Sequence, residues 1–147
     1  MRLAPIAVVL LLIAAGVGYY FFLGPGAEPR LSVESVSSGA KLVREDGVVA
    51  VEVPHGTRFS VTFRIEHGKK GDRVVCYCET LNGGPHPGKG RECGSDCILR
   101  EGELCVSDGW YADAPPGTEM GLACYVLRDG RRIEGSRLDL LMRSTAP

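Results

Sequence analysis

Phe59-Ser60-Val61-Thr62-Phe63-Arg64-Ile65-Glu66 decides the fold class of this chain. In an extended backbone Phe59, Val61, Phe63 and Ile65 fall on one side, and Ser60, Thr62, Arg64 and Glu66 on the other. A period of two with one apolar side marks a strand lying half-buried on a core. Gly68, Gly71 and Asp72 break the chain behind it. Arg73–Leu81, RVVCYCETL, then reads as the next strand.

Working outward, the same period predicts strands at Leu31–Val36, Val48–Val53, Glu103–Val106, Met120–Leu127 and Ser136–Met142. Asp46-Gly47 and Asp129-Gly130 each sit between apolar runs, and Asp-Gly supplies the positive φ that a two-residue hairpin turn needs. Pro115-Pro116-Gly117 marks a further loop. There is no helical period after Glu28-Pro29-Arg30, no internal repeat and no alternation of strands with helices. Short strands at regular turn signals predict an all-β domain, an antiparallel sandwich, with a small barrel as the rival architecture.

Ahead of this domain Leu3–Leu23, LAPIAVVLLLIAAGVGYYFFL, runs 21 residues without a charge. As a helix it would reach about 31 Å, the thickness of a bilayer's hydrocarbon. Tyr19, Tyr20, Phe21 and Phe22 gather at its far end, where amphipathic rings favour a membrane interface, and Gly24-Pro25-Gly26 would stop it. Arg2 before the segment predicts a cytoplasmic N-terminus and an extracytoplasmic remainder. The alternative is a cleaved signal peptide with Gly16 and Gly18 before the cut. The expected organisation is therefore a transmembrane anchor at 1–24, a short linker at 25–30 and a disulfide-bonded domain at 31–147, with membrane lipid as the partner of Leu3–Leu23.

All six cysteines, Cys76, Cys78, Cys93, Cys97, Cys105 and Cys124, follow the apolar segment. Three disulfides are the economical expectation. Cys76 and Cys78 share one face of their strand, so each should reach a different partner. Cys76 or Cys78 is expected to bond Cys124 across the sandwich, with the remaining cysteines stapling the Gly/Pro-rich stretch from Asn82 to Cys105. The competing chemistry is a soft-metal site built from Cys76, Cys78, His86, Cys93 and Cys97, although no paired C-x2-C spacing supports it.

The net charge is −1, from 17 basic and 18 acidic residues, and gives no reason to expect a nucleic-acid partner. Asn82 is the only Asn and Gln is absent, a depletion that fits a thermophilic source or a GC-rich genome. No Gly-x-Ser-x-Gly, P-loop, His-Glu-x-x-His or dinucleotide fingerprint occurs, so no enzyme and no cofactor are expected. His55, His67 and His86 read as turn histidines. Trp110 and Tyr111, in Ser107-Asp108-Gly109-Trp110-Tyr111, are the candidate partner-binding residues if they project from a loop tip; the alternative is that Trp110 packs in the core.

Two resemblances carry further expectations. GLACYVLRDG, ending in a hairpin that leads to SRLDLLM as a final edge strand, resembles the penultimate strand of immunoglobulin-like domains. The resemblance implies an immunoglobulin-like sandwich, without the tryptophan that true antibody-type domains carry after the first cysteine. Arg2-Leu3-Ala4-Pro5-Ile6-Ala7-Val8-Val9-Leu10-Leu11 resembles the start of archaeal type IV pilins, which implies a filament subunit with a β-sandwich head. The leading expectation is a surface module that binds or is displayed, with a protein partner or self-association. A pilin-like subunit and an extracytoplasmic metal or redox protein are the alternatives.

Overall fold

The computed structural model describes residues 4–22 and 27–147, with side chains inside the helix described at 7–17. The elements are α1 (Ala4–Phe22), β1 (Arg30–Val36), β2 (Lys41–Glu45), β3 (Val48–Pro54), β4 (Arg58–Glu66), β5 (Arg73–Leu81), β6 (Gly84–Pro85), β7 (Cys97–Ile98), β8 (Leu104–Tyr111), β9 (Glu119–Arg128) and β10 (Arg131–Thr145).

The strands form two sheets. One has three strands in the order β1-β4-β8; the other has seven, in the order β2-β3-β10-β9-β5-β6 with β7 also on β5. The alternation of β4 survives intact: Phe59, Val61, Phe63 and Ile65 are buried. They meet Val74, Leu122, Val126 and Leu140 of the larger sheet in one hydrophobic cluster between the sheets. Burial of these apolar faces against each other is the main drive for the two-layer arrangement.

Asp46-Gly47 and Asp129-Gly130 turn the chain as expected, all four residues at positive φ. They close Glu45 on Val48 and Arg128 on Arg131. Three features differ from expectation. The larger sheet is mixed, because β3 runs parallel to β10, Leu140 opposite Val49. The final strand is consequently interior, flanked by β3 and β9, and not an edge. The hairpin Asn82-Gly83 is a third two-residue turn, pairing Leu81 with Gly84, and both residues have positive φ.

Near the start of β10 the register slips between Ile133 and Leu138. The Ser136 hydroxyl, buried in this bulge, donates to the Ile133 carbonyl at 2.6 Å and accepts from the Val126 N–H at 2.8 Å. Those bonds replace the ladder bonds that the extra residues displace. Arg132 then stacks on Tyr125, 4.4 Å from the ring centroid, and covers the outer face of the larger sheet.

Arg30 opposite Glu66, Arg73 opposite Leu127 and the Asp129-Gly130 turn define one pole of the sandwich, the one where the chain enters after α1. Asp72 is buried there beside Arg128. The ends of β3, β5 and β10 and the starts of β4 and β9 define the opposite pole.

The described side chains of α1, at 7–17, are all exposed. Among the described residues no helix is long and apolar enough to cross a membrane, so the span expected over Leu3–Leu23 is unconfirmed. Arg2 and Gly24-Pro25-Gly26 lie outside the described residues, as do the side chains of Gly18, Tyr19, Tyr20, Phe21 and Phe22.

Candidate binding groove

The three disulfides are Cys76–Cys124, Cys78–Cys93 and Cys97–Cys105. Cys76 and Cys78 do take different partners. The bond to Cys124, however, is not across the sandwich. Cys76 and Cys124 are directly opposite on the neighbouring strands β5 and β9 of one sheet. The bond that joins the two sheets is Cys97–Cys105, since β7 pairs with β5 and β8 with β4. Cys78–Cys93 clamps the stretch after β6 along the free side of β5, where Cys78 N donates to Arg91 O and Cys93 N to Cys76 O.

Every cysteine of the alternative metal set is therefore bonded to another sulfur and offers no thiolate. His86 Nδ1 accepts the Gly88 N–H at 2.8 Å, within its own turn. Among the described residues no group of three or more potential metal ligands converges.

Trp110 and Tyr111 lie in β8 and not on a loop tip, and the strand sends them to opposite faces. Trp110 is 4% exposed and Tyr111 51%. The indole packs 5.9 Å from Phe59 and donates from Nε1 to Ser107 Oγ at 2.8 Å; that hydroxyl donates in turn to Ser95 O at 2.6 Å. Gly94 at positive φ fits against the indole face, where a Cβ would strike the ring. Trp110 is thus a core residue that binds the 82–105 stretch to the sandwich. Tyr111 lies exposed under the Arg58 guanidinium, 5.5 Å from its ring centroid.

At the pole opposite the start of β1 the sheets part around a groove of about 240 Å³. Its apolar lining comes from strand ends: Val53, Phe59, Trp110, Met120 and Met142, with Leu81 and Ala112 beside them. The loops around it are tied to one another. His55 N donates to Thr145 O, Gly56 N to Ala112 O, Gly117 N to Ser144 O and Ser144 N to Thr118 O. His55 Nδ1 donates to Ala114 O at 2.7 Å and Ser144 Oγ to the same carbonyl at 2.8 Å. These bonds make the groove a preformed feature of the fold. An apolar floor with two flexible methionines and a few polar groups at the edge suits an apolar ligand or side chain.

Of the sequence-level candidates, only Trp110, Tyr111 and His86 contribute to this lining. Met120, Met142, Val53 and Phe59 read in sequence only as strand positions. Nothing local marks them as neighbours, because they meet through pairings between strands distant in the chain.

No protein-family description matches this chain, and no curated protein sequence matches it.

Proposed function

We propose that this chain is a membrane-anchored, extracytoplasmic immunoglobulin-like sandwich that acts as a binding or display module without catalysis. The observation that carries the reading is the groove's place: it opens at the pole opposite the one where the chain enters from α1. A helix embedded in lipid would hold that groove away from the membrane surface. The uniformly apolar sequence of α1 supports the anchor, and three disulfides in so small a domain support an oxidising exterior. The order β1-β4-β8 against β3-β10-β9-β5, with β3 parallel to β10, supports the immunoglobulin-like assignment.

Three measurements on the full chain test this. Expressed in cells, it should resist alkaline extraction from membranes, expose its domain to external protease and retain Met1. Recovery as a soluble cytosolic protein would end the anchor reading, and recovery in sheared filaments after processing near Arg2 would replace it with the pilin-like one. The groove should enhance the fluorescence of an apolar dye such as anilinonaphthalene sulfonate. Thr118→Phe, which adds bulk to the lining, should abolish that signal with the fold intact; an unchanged signal would remove the groove from the proposal.

A further inference from the structure

The sandwich has open sheet edges, and most are blunted. Strand β2 is short and carries Lys41, Arg44 and Glu45. Strand β1 is bulged between Val33 and Ser35, and Arg44 Nη2 donates to its Val33 carbonyl at 2.6 Å. Strands β6 and β7 are two residues each, and Pro85 and Pro87 interrupt that side. Such devices keep edges from pairing with other chains.

Strand β8 is different. Its eight residues, LCVSDGWY, contain no Lys, Arg or Pro; its one irregularity is the register slip at Asp108-Gly109, which leaves Leu104–Ser107 a regular edge. Leu104 and Val106 are 46% and 53% exposed on its outer face, in line with Tyr111. The neighbouring 95–97 stretch is tied to β8 through Cys97–Cys105 and the bond from the Ser107 hydroxyl to Ser95 O, and Ser95 also lies beside Gly109. Among the described residues, the single backbone hydrogen bond of Leu104–Tyr111 outside its pairing with β4 is the one Tyr111 O accepts from Asp113 N. The other edge of β8 therefore presents unpaired N–H and C=O groups beside apolar side chains.

Charge at the two ends of this edge names the occupant. At the start of β8 stands Glu103, whose carboxylate lies 3.6 Å from Arg64 Nη1 in an exposed and therefore weakly held pair, with Glu66 close by. At its end stands Arg58, stacked on Tyr111 and, among the described residues, without an ion-pair partner. An antiparallel copy of β8, related by a two-fold axis, would bring Glu103 of each copy toward Arg58 of the other and Leu104 toward Tyr111. We propose that β8 is a homophilic edge, through which two copies of this chain join β1-β4-β8 sheets into one continuous antiparallel sheet.

The geometry has a consequence that rests on the anchor reading above. Strand β8 runs from the α1 pole, where Glu103 O accepts from Ile65 N, to the groove pole. Antiparallel pairing therefore puts the two α1 poles at opposite ends of the dimer. Two such copies would bridge facing membranes instead of sitting side by side in one.

The experiment uses the full chain, first in detergent micelles and then in vesicles. In micelles, sedimentation should show a concentration-dependent dimer. Val106→Lys should weaken it at least about tenfold, as should Arg58→Glu or Glu103→Arg alone, through like-charge contact. The double variant Arg58→Glu/Glu103→Arg should restore it. Val48→Lys, an exposed apolar position on the other sheet, should leave it unchanged. Non-reduced intact mass and melting verify that each variant is folded. A monomer at every concentration, or a dimer indifferent to Val106→Lys and to the charge exchange, overturns the proposal. In vesicles, inserted wild-type protein should cluster the vesicles and Val106→Lys should not. Insertion without clustering overturns the bridging geometry. Failure to insert, with the micelle dimer intact, refutes the anchor and leaves the β8 edge standing.

Discussion

Arg128 holds Asp72 in a two-point ion pair, Nε to Oδ1 at 2.9 Å and Nη2 to Oδ2 at 2.8 Å. Asp72 is only 1% exposed, and its Oδ2 also accepts the Lys69 N–H at 2.7 Å. The pair joins the loop before β5 to the end of β9, 56 residues on. Burial by itself pushes the Asp72 carboxyl up, but the hydrogen bonds from Arg128 and Lys69 and the Arg128 charge outweigh it. The carboxyl is held below its ordinary value.

The first prediction follows from that pair. Asp72→Asn leaves Arg128 without its counter-charge and should cost about 3 kcal/mol, the low end for a buried pair, since Arg128 is partly exposed. The sign of the pH dependence is set by the lowered value. The stabilisation is complete above the unfolded carboxylate value, near about 4, and is lost as pH falls through the folded one. Melting curves from pH 7 down to pH 2 should show wild type and variant converging at the acid end. A constant gap across that range would contradict the assignment.

Trp110 and Tyr111 are adjacent in sequence and should differ sharply in stability. Trp110→Ala empties a buried site and removes the indole N–H that the Ser107 hydroxyl accepts, for a loss of about 3–5 kcal/mol. Tyr111→Ala removes an exposed ring and its contact with Arg58, worth about 0.5–1 kcal/mol. Urea unfolding of both variants checks the contrast; equal losses would mean that the strand does not divide them.

Gly94 is required by Trp110, not only by its own turn. At φ 79° and packed on the indole, it has no room for a Cβ. Gly94→Ala should destabilise the domain and raise the accessibility of Trp110 to acrylamide quenching. Gly130→Ala, also at positive φ but with nothing near its Cβ position, should cost only the backbone strain and leave quenching unchanged.

The disulfides should separate by loop length and burial. Reduction of all three should raise the intact mass by about 6 Da. Chain-entropy arguments give about 2.5, 3 and 4 kcal/mol for the bonds that close 8, 15 and 48 residues. Cys93 is the least buried of the six, so Cys78–Cys93 should yield first to a mild reductant. Cys76–Cys124, with both residues 2% exposed or less, should resist longest. Timed alkylation and mass mapping would read the order, and early loss of Cys76–Cys124 would contradict it.

Much of this architecture was legible residue by residue. Phe59–Glu66 alternates in the structure as it does in the text, and Arg73–Leu81 has the predicted bounds. Asp46-Gly47 and Asp129-Gly130 turn where Asp-Gly should, and Asn82-Gly83 carried the same signal. Strand β2 was hidden because Lys41–Glu45 is exposed at an edge and has little apolar alternation to show. The full length of β10 was hidden because the bulge after Ile133 breaks its period.

Periodicity and turn chemistry act over a few residues, so the sequence alone determined the main core strands, the Asp-Gly turns between them and that six cysteines follow an apolar run. Neighbourhood between distant segments is settled by packing, and only the tertiary structure decided it. That is why Cys76–Cys124 proved to lie within one sheet while Cys97–Cys105 joins two. It is also why β3 slipped in parallel beside β10, and why Val53, Phe59, Met120 and Met142 came to share a groove. Each of those outcomes depends on how two apolar faces fit together, a property that no single stretch of chain carries.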